Sequence, residues 1–187
     1  MKNKEMIMQR FESIMNLVGI NPHTHDTQRT PERFWEVLVC ATKGYSQTVS
    51  LDRLYDDKQE TVEHAAIRIS TGIPFTSFCE HHWMPFIGTA DIAYIPNGKV
   101  TGMSKLPQLV EKYAHRFQNQ ERMTEQIANE IEEVVKPLGV YVITRARHTC
   151  ELVEGYNRDG PYVCSAIRGI FTKDVNPREE VLRLLGM

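Results

Sequence analysis

Two pairs of strand-like runs flanking two helical stretches constrain the fold of this chain more than any other feature of its sequence. Ala66-Ile67-Arg68-Ile69-Ser70 alternates apolar and polar residues, and Phe86 to Ile95 alternates again before the turn Pro96-Asn97-Gly98. The β-branched run Val140 to Thr149 and the run Tyr162 to Thr172 predict a second pair. Between the pairs, Ser104 is placed to cap a helix carrying Leu106, Leu109, Val110 and Tyr113. A second helix, over residues 119–135, sets Met123, Ile127, Ile131 and Val135 four apart, and Pro137-Leu138-Gly139 ends it. A β-β-α-α-β-β order predicts an α+β fold built on an antiparallel sheet.

The flanks read as helical. Apolar positions from Met6 to Val18 form a stripe over residues 2–19, and the polar segment Gly19 to Arg29 reads as a loop. Thr30-Pro31-Glu32-Arg33 opens another helix, with Thr30 as the cap and Pro31 in the first turn, where its missing N–H costs nothing. That helix stops near Gly44. Gln47 to Glu60 is a polar connector, the strand pattern begins at about Val62, and Pro177 to Leu185 closes the chain as a short helix. The 187 residues suffice for one structural domain with a real core, divided into an N-terminal helical region, 1–50, and a body, 51–187.

The formal net charge of −2 gives no sign of a nucleic-acid or membrane-surface partner, so an anionic ligand would need a local basic pocket. No apolar run approaches the roughly 20 residues that span a bilayer. The opening MKNKEMIMQRFE lacks the apolar core and cleavage site of a secretory signal. Cys40, Cys79, Cys150 and Cys164 are spread too widely for a disulfide framework, which makes the cytoplasm the expected compartment.

The chemistry centres on Cys79-Glu80-His81-His82. A thiol and an imidazole three residues apart can close on one metal ion, and Phe78, Trp83, Met84, Pro85 and Phe86 give them an apolar setting. Alone, the pair also fits a small buried residue beside a satisfied histidine. Arg147-His148-Thr149-Cys150 repeats the chemistry after the second helix. Cys79, His82 and Cys150 would make a three-ligand zinc (Zn2+) site with a fourth position for water, whose pKa zinc lowers to roughly 7. His81 and His148 would flank that water as general acid and base. Cys40, on an apolar helix face, and Cys164, in a strand, read as core residues. His23, His25, His64 and His115 show no partner pattern.

Several blocks together resemble the GTP cyclohydrolase I family. They are Ser77-Phe78-Cys79-Glu80-His81-His82, Pro85-Phe86-Ile87-Gly88, Gly102-Met103-Ser104-Lys105-Leu106, Gln118-Asn119-Gln120-Glu121-Arg122-Met123-Thr124 and His148-Thr149-Cys150. The resemblance covers about residues 30 to 185. It implies the tunnelling fold, with residues 51–187 as its catalytic domain and the sheets of several subunits joining into a barrel. It also implies a homo-oligomer, a decamer in bacterial and animal members, with active sites between subunits. Zinc would be held by Cys79, His82 and Cys150, with His81 and His148 catalytic. Water adds to C8 of guanine in the family's reaction, the imidazole ring opens, formate leaves, and the product is 7,8-dihydroneopterin triphosphate. Folate, biopterin and deazaguanine routes all begin from this step in relatives. Glu121 matches the carboxylate that anchors the guanine edge, Gln120 its substrate-contacting neighbour, and Ser104 a hydroxyl near the ribose. On local pattern, Ser104 also reads as a helix cap and Glu121 as a first-turn carboxylate facing the helix dipole.

The chain departs from the family where relatives hold the triphosphate. Lys105 is present, but Gln108 and Glu154 stand where arginines are expected. A hydrogen bond to a charged group is worth roughly 1.5–3 kcal/mol, so two lost arginines remove about 3–6 kcal/mol. That is on the order of a hundredfold to ten-thousandfold in affinity. Arg145, Arg147, Arg158 and Arg168 are the cations that could compensate or simply be solvated. GTP therefore leads as substrate, a guanine nucleotide or nucleoside with fewer phosphates or another sugar is the alternative, and a non-catalytic guanine-binding relative is a third reading. The third sits poorly with the retained histidine pair, because binding alone needs neither.

Overall fold

The computed structural model describes residues 2–51, 54–56, 66–156 and 159–187. His64, Arg158 and much of the expected connector lie outside the described residues. The chain divides into two compact units, Met1–Lys43 and Gly44–Met187.

The first unit is a pair of helices, α1 (Lys2–Leu17) and α2 (Thr30–Thr42). Phe11 and Phe34 stack between them with centroids 3.9 Å apart, and Lys4 Nζ donates to Glu32 at 3.1 Å. Thr30 is not the cap of α2. The backbone is already helical at Arg29, whose carbonyl accepts from Arg33 N at 3.0 Å, so Thr30 sits inside the first turn. Cys40 is exposed, contrary to the expected core position. An apolar helix stripe does not say which of its residues another element will cover.

The second unit is built on a five-stranded sheet of order β5-β2-β3-β6-β7. Its strands are β2 (Arg68–Cys79), β3 (Pro85–Ile95), β5 (Phe117–Gln118), β6 (Gly139–His148) and β7 (Tyr162–Gly169). All neighbours are antiparallel except β5, which pairs parallel to the end of β2. A separate small ribbon joins β1 (Leu54–Asp56) and β4 (Lys99–Thr101), neither of which the alternation revealed. β2 runs nine residues beyond Ser70, to Cys79. The register slips between Ser70 and Ile73, where Gly72 takes a φ of 64° and donates its N–H to Asp91 at 2.8 Å. The bulge hides the strand from a period-two reading, and alternation resumes with Ile73, Phe75, Ser77 and Cys79 facing inward.

Helices α3 (Lys105–Ala114) and α4 (Gln120–Val135) cover one sheet face. Leu106, Leu109 and Val110 of α3 and Met123, Ile127 and Ile131 of α4 pack against Phe75, Phe86, Ile92, Val140 and Val142 in one cluster. Ser104 stands at the N-cap of α3, but its hydroxyl makes no capping bond. Asn119 does cap α4, accepting from Arg122 N at 2.7 Å. β7 ends at Gly169 rather than Thr172. Gly169 has a φ of 63°, and a Cβ there would lie 2.2 Å from the Leu138 carbonyl, so the chain turns into the short helix α6 (Ile170–Lys173). At that end of the opposite face, Phe171 of α6 and Val181 of α7 (Asn176–Leu184) pack on Ala93 and Ile95.

Candidate metal and guanine site

Three chain reversals meet at the same end of the sheet. The β2–β3 hairpin is closed by Cys79 N donating to Met84 O and Trp83 N to Cys79 O, both at 2.8 Å. Trp83 sits at a φ of 56°, unusual for a large side chain, and its ring is held against Phe117 at 4.6 Å. β6 pairs with β3 so that His148 lies opposite Phe86, and the chain then enters the one-turn helix α5 (Thr149–Val153). Thr149 Oγ1 donates to Pro85 O at 2.6 Å, tying α5 to the hairpin. The first turn of α4 supplies the third side. Its Arg122 grips both oxygens of Glu80 at 3.1 and 2.6 Å, which holds the Glu80 carboxyl below the usual range.

This arrangement brings Cys79, His82 and Cys150 together, with one donor atom of each within 4.8 Å of the others. Cys79 Sγ lies 3.5 Å from His82 Nδ1. Both thiols are nearly buried, at 6% and 7% exposure, and both are free. Burial, and then the neighbouring Cys79, push the Cys150 thiol above its ordinary pKa. A divalent cation would reverse that penalty, because two thiols and an imidazole are the donors zinc prefers. The donor set therefore fits a zinc ion. His81 is more exposed, with Nδ1 3.8 Å from Cys79 Sγ.

His148 is held from two directions. Its ring stacks on Phe86, centroids 4.6 Å apart and planes within 3°. Its Nε2 lies 3.0 Å from Gln120 Oε1. Gln120, expected to touch substrate, is 0% exposed, and its amide nitrogen donates to Thr144 O, Thr144 Oγ1 and Tyr162 O, each at 3.1 Å. Two of those acceptors are carbonyls, so the amide orientation is decided and Oε1 must accept. His148 therefore donates from Nε2 and, when neutral, carries its basic lone pair on Nδ1. Glu121, exposed in the first turn of α4, accepts from Tyr162 O–H at 3.1 Å.

Cys79, His82, Cys150, His148 and Glu121 all line one cavity of about 450 Å³. Ser104 and Lys105, at the start of α3, do not line it, and Gln108 faces a different groove with Ile73 and His115. Glu154 does line it, with Oε1 3.4 Å from His82 Nε2. Among the described residues no lysine or arginine lines this cavity, whereas Glu121, Glu151 and Glu154 do. Three of the arginines that could compensate have partners elsewhere. Arg145 pairs with Asp91, Arg147 donates to the Asp159 carbonyl, and Arg168 engages Glu125 and Asn129. Thr144 and Tyr162 escaped sequence reasoning as site residues, because their roles depend on partners 24 and 41 residues away.

A model of the family GTP cyclohydrolase I matches residues 7–186. GTP cyclohydrolase 1 of Campylobacter concisus is 37% identical over 184 residues, covering 98% of this chain and 96% of that protein. The Campylobacter jejuni serotype O:6 protein of the same name is 41% identical over 185 residues, covering 96% of each. That of Gloeobacter violaceus is 39% identical over 180 residues, covering 96% of this chain and 83% of the relative. Among solved structures, the archaeosine synthase QueF-Like in its apo form aligns with a TM-score of 0.44 at 18% identity, over 56% of this chain and 92% of that one.

Proposed function

The chain belongs to the GTP cyclohydrolase I family, and from that premise we propose that it is a zinc-dependent hydrolase opening the guanine imidazole ring of GTP. The products would be formate and 7,8-dihydroneopterin triphosphate. What supports the reading most is the convergence of the Cys79–His82–Cys150 donor set with His148 and Glu121 around one cavity. Bound there, zinc would supply the Lewis acidity that makes water a nucleophile at neutral pH.

The remaining work falls to the protein's own groups. The Glu121 carboxylate accepts from N1–H and the exocyclic amine of guanine, a two-bond match that fixes the ring. Tyr162 holds that carboxylate in place from its Oε1 side. His148, locked by Gln120 and Phe86, exchanges a proton at Nδ1 with the group reacting at C8. His81, beside Cys79, is the second proton carrier. C8 departs as formate, the ribose rearranges, and the ring recloses as the pterin.

Ser104 and Lys105 serve the sugar and phosphates from a neighbouring copy, which calls for a homo-oligomer, a decamer by family likeness, with its sites between subunits. A cytoplasmic setting suits four free thiols, and no helix among the described residues is long and apolar enough to cross a membrane. A second reading, the same chemistry on a guanine nucleotide or nucleoside with fewer phosphates, is favoured by the three carboxylates in the cavity lining. Assaying GTP, GDP, GMP and guanosine for formate release and pterin fluorescence separates the two. Turnover of GTP alone supports the first, comparable turnover of all four supports the second, and no turnover of any sinks both.

A further inference from the structure

Glu154, which stands where the family resemblance leads one to expect a phosphate-holding arginine, lines the same cavity as Cys79, His82 and Cys150. It ends α5, the turn that also carries Cys150, and its backbone N–H donates to Cys150 O at 3.0 Å. The two residues are four apart, so the thiol and the carboxylate leave the same side of the turn. His82 comes to them from the β2–β3 hairpin, with its two ring nitrogens facing different partners. Nδ1 lies 3.5 Å from Cys79 Sγ, and Nε2 lies 3.4 Å from Glu154 Oε1.

We infer that Glu154 is a positioning residue of the metal site, holding the His82 imidazole with Nε2–H toward its carboxylate and Nδ1 toward the thiols. A ligating imidazole must be neutral, with its lone pair on the metal side and its proton on the other nitrogen. An ionised carboxylate only accepts hydrogen bonds, so a glutamate at Nε2 selects the tautomer that ligation requires. Glu154 also stands on the far side of the imidazole from Cys79, which makes it a support for a ligand and not itself a fourth one. Side chains of His82 and Glu154 are 43% and 49% exposed, so their contact adds little to folding and its effect falls on the metal. Loss of such a supporting group typically weakens metal binding about 10–100-fold.

The inference rests on the zinc reading above, and one titration separates the two. Zn2+ affinity is measured by chelator competition for the full-length wild type and for Cys150→Ala, Glu154→Ala and Glu154→Gln, with thermal melts of the metal-free proteins alongside. The expected result is zinc binding in the wild type, its loss in Cys150→Ala, and about 10–100-fold weaker binding in Glu154→Ala at an unchanged melting temperature. Glu154→Gln, which keeps a neutral acceptor, should recover part of the affinity. Wild-type affinity in Glu154→Ala, with zinc still lost in Cys150→Ala, overturns the role of Glu154 and leaves the zinc site standing. Absence of zinc binding in the wild type overturns both.

Discussion

Gln120 shows how much of this site depends on a side chain that substrate need not touch. Its amide is buried with three accepting atoms on one side and the His148 ring on the other. Replacing it by leucine strands the Nε2–H of His148 and the Thr144 acceptors, at about 1–3 kcal/mol for a buried group left unpaired. We expect Gln120→Leu to lower both the melting temperature and kcat while zinc content stays at the wild-type level. Unchanged kcat would remove Gln120 from the support of His148. His148→Ala should cut formate release about 10²–10⁴-fold, the usual contribution of a positioned acid or base, again with zinc retained. Full turnover in that variant would take His148 out of the reaction.

At the scale of elements, the site depends on a hairpin, one helical turn and a helix start being held in register. The Glu80–Arg122 pair joins the β2–β3 hairpin to α4, next to Glu121 and Gln120. Both side chains are partly exposed, so the pair contributes no more than about 1 kcal/mol. Its pH dependence has a definite sign. Arg122 lowers the folded-state pKa of Glu80, so the stabilisation is present above the ordinary glutamate value near ~4.3 and is lost as pH falls through the lowered one. Denaturant melts of wild type and Glu80→Gln should therefore differ at pH 7 and converge in acid. A gap that persists unchanged at low pH would mean that the pair is not its source.

For the whole molecule, the question is whether one chain holds a complete site. Glu121 and the Cys79–His82–Cys150 group line one cavity, while Ser104 and Lys105 lie outside it at the start of α3. If sites form between copies, Lys105→Ala and Glu121→Ala subunits damage opposite halves. Each homo-oligomer should then be nearly inactive toward GTP, and mixed subunits refolded together should regain part of the activity. No recovery on mixing, with hybrids confirmed by mass, would place the whole site within one chain.

The sequence by itself determined the sheet-forming order, the two helices that cover the sheet, and the paired thiol and imidazole patterns at residues 79–82 and 148–150. Those features are written in short-range patterns. Residues three or four apart share a helix face, alternate residues share a strand face, and the Cys79/His82 and His148/Cys150 pairs are three and two residues apart. Only the tertiary structure decided what depends on distant partners. Thr30 proved to lie inside its helix, Cys40 turned outward, and the bulge at Gly72 carried β2 on to Cys79. Gln120 became the support of His148 through acceptors 24 and 42 residues away. Glu154, in sequence a missing cation, became the partner of His82. Hydrogen-bond partners across the fold are chosen by packing, and no local periodicity encodes that choice.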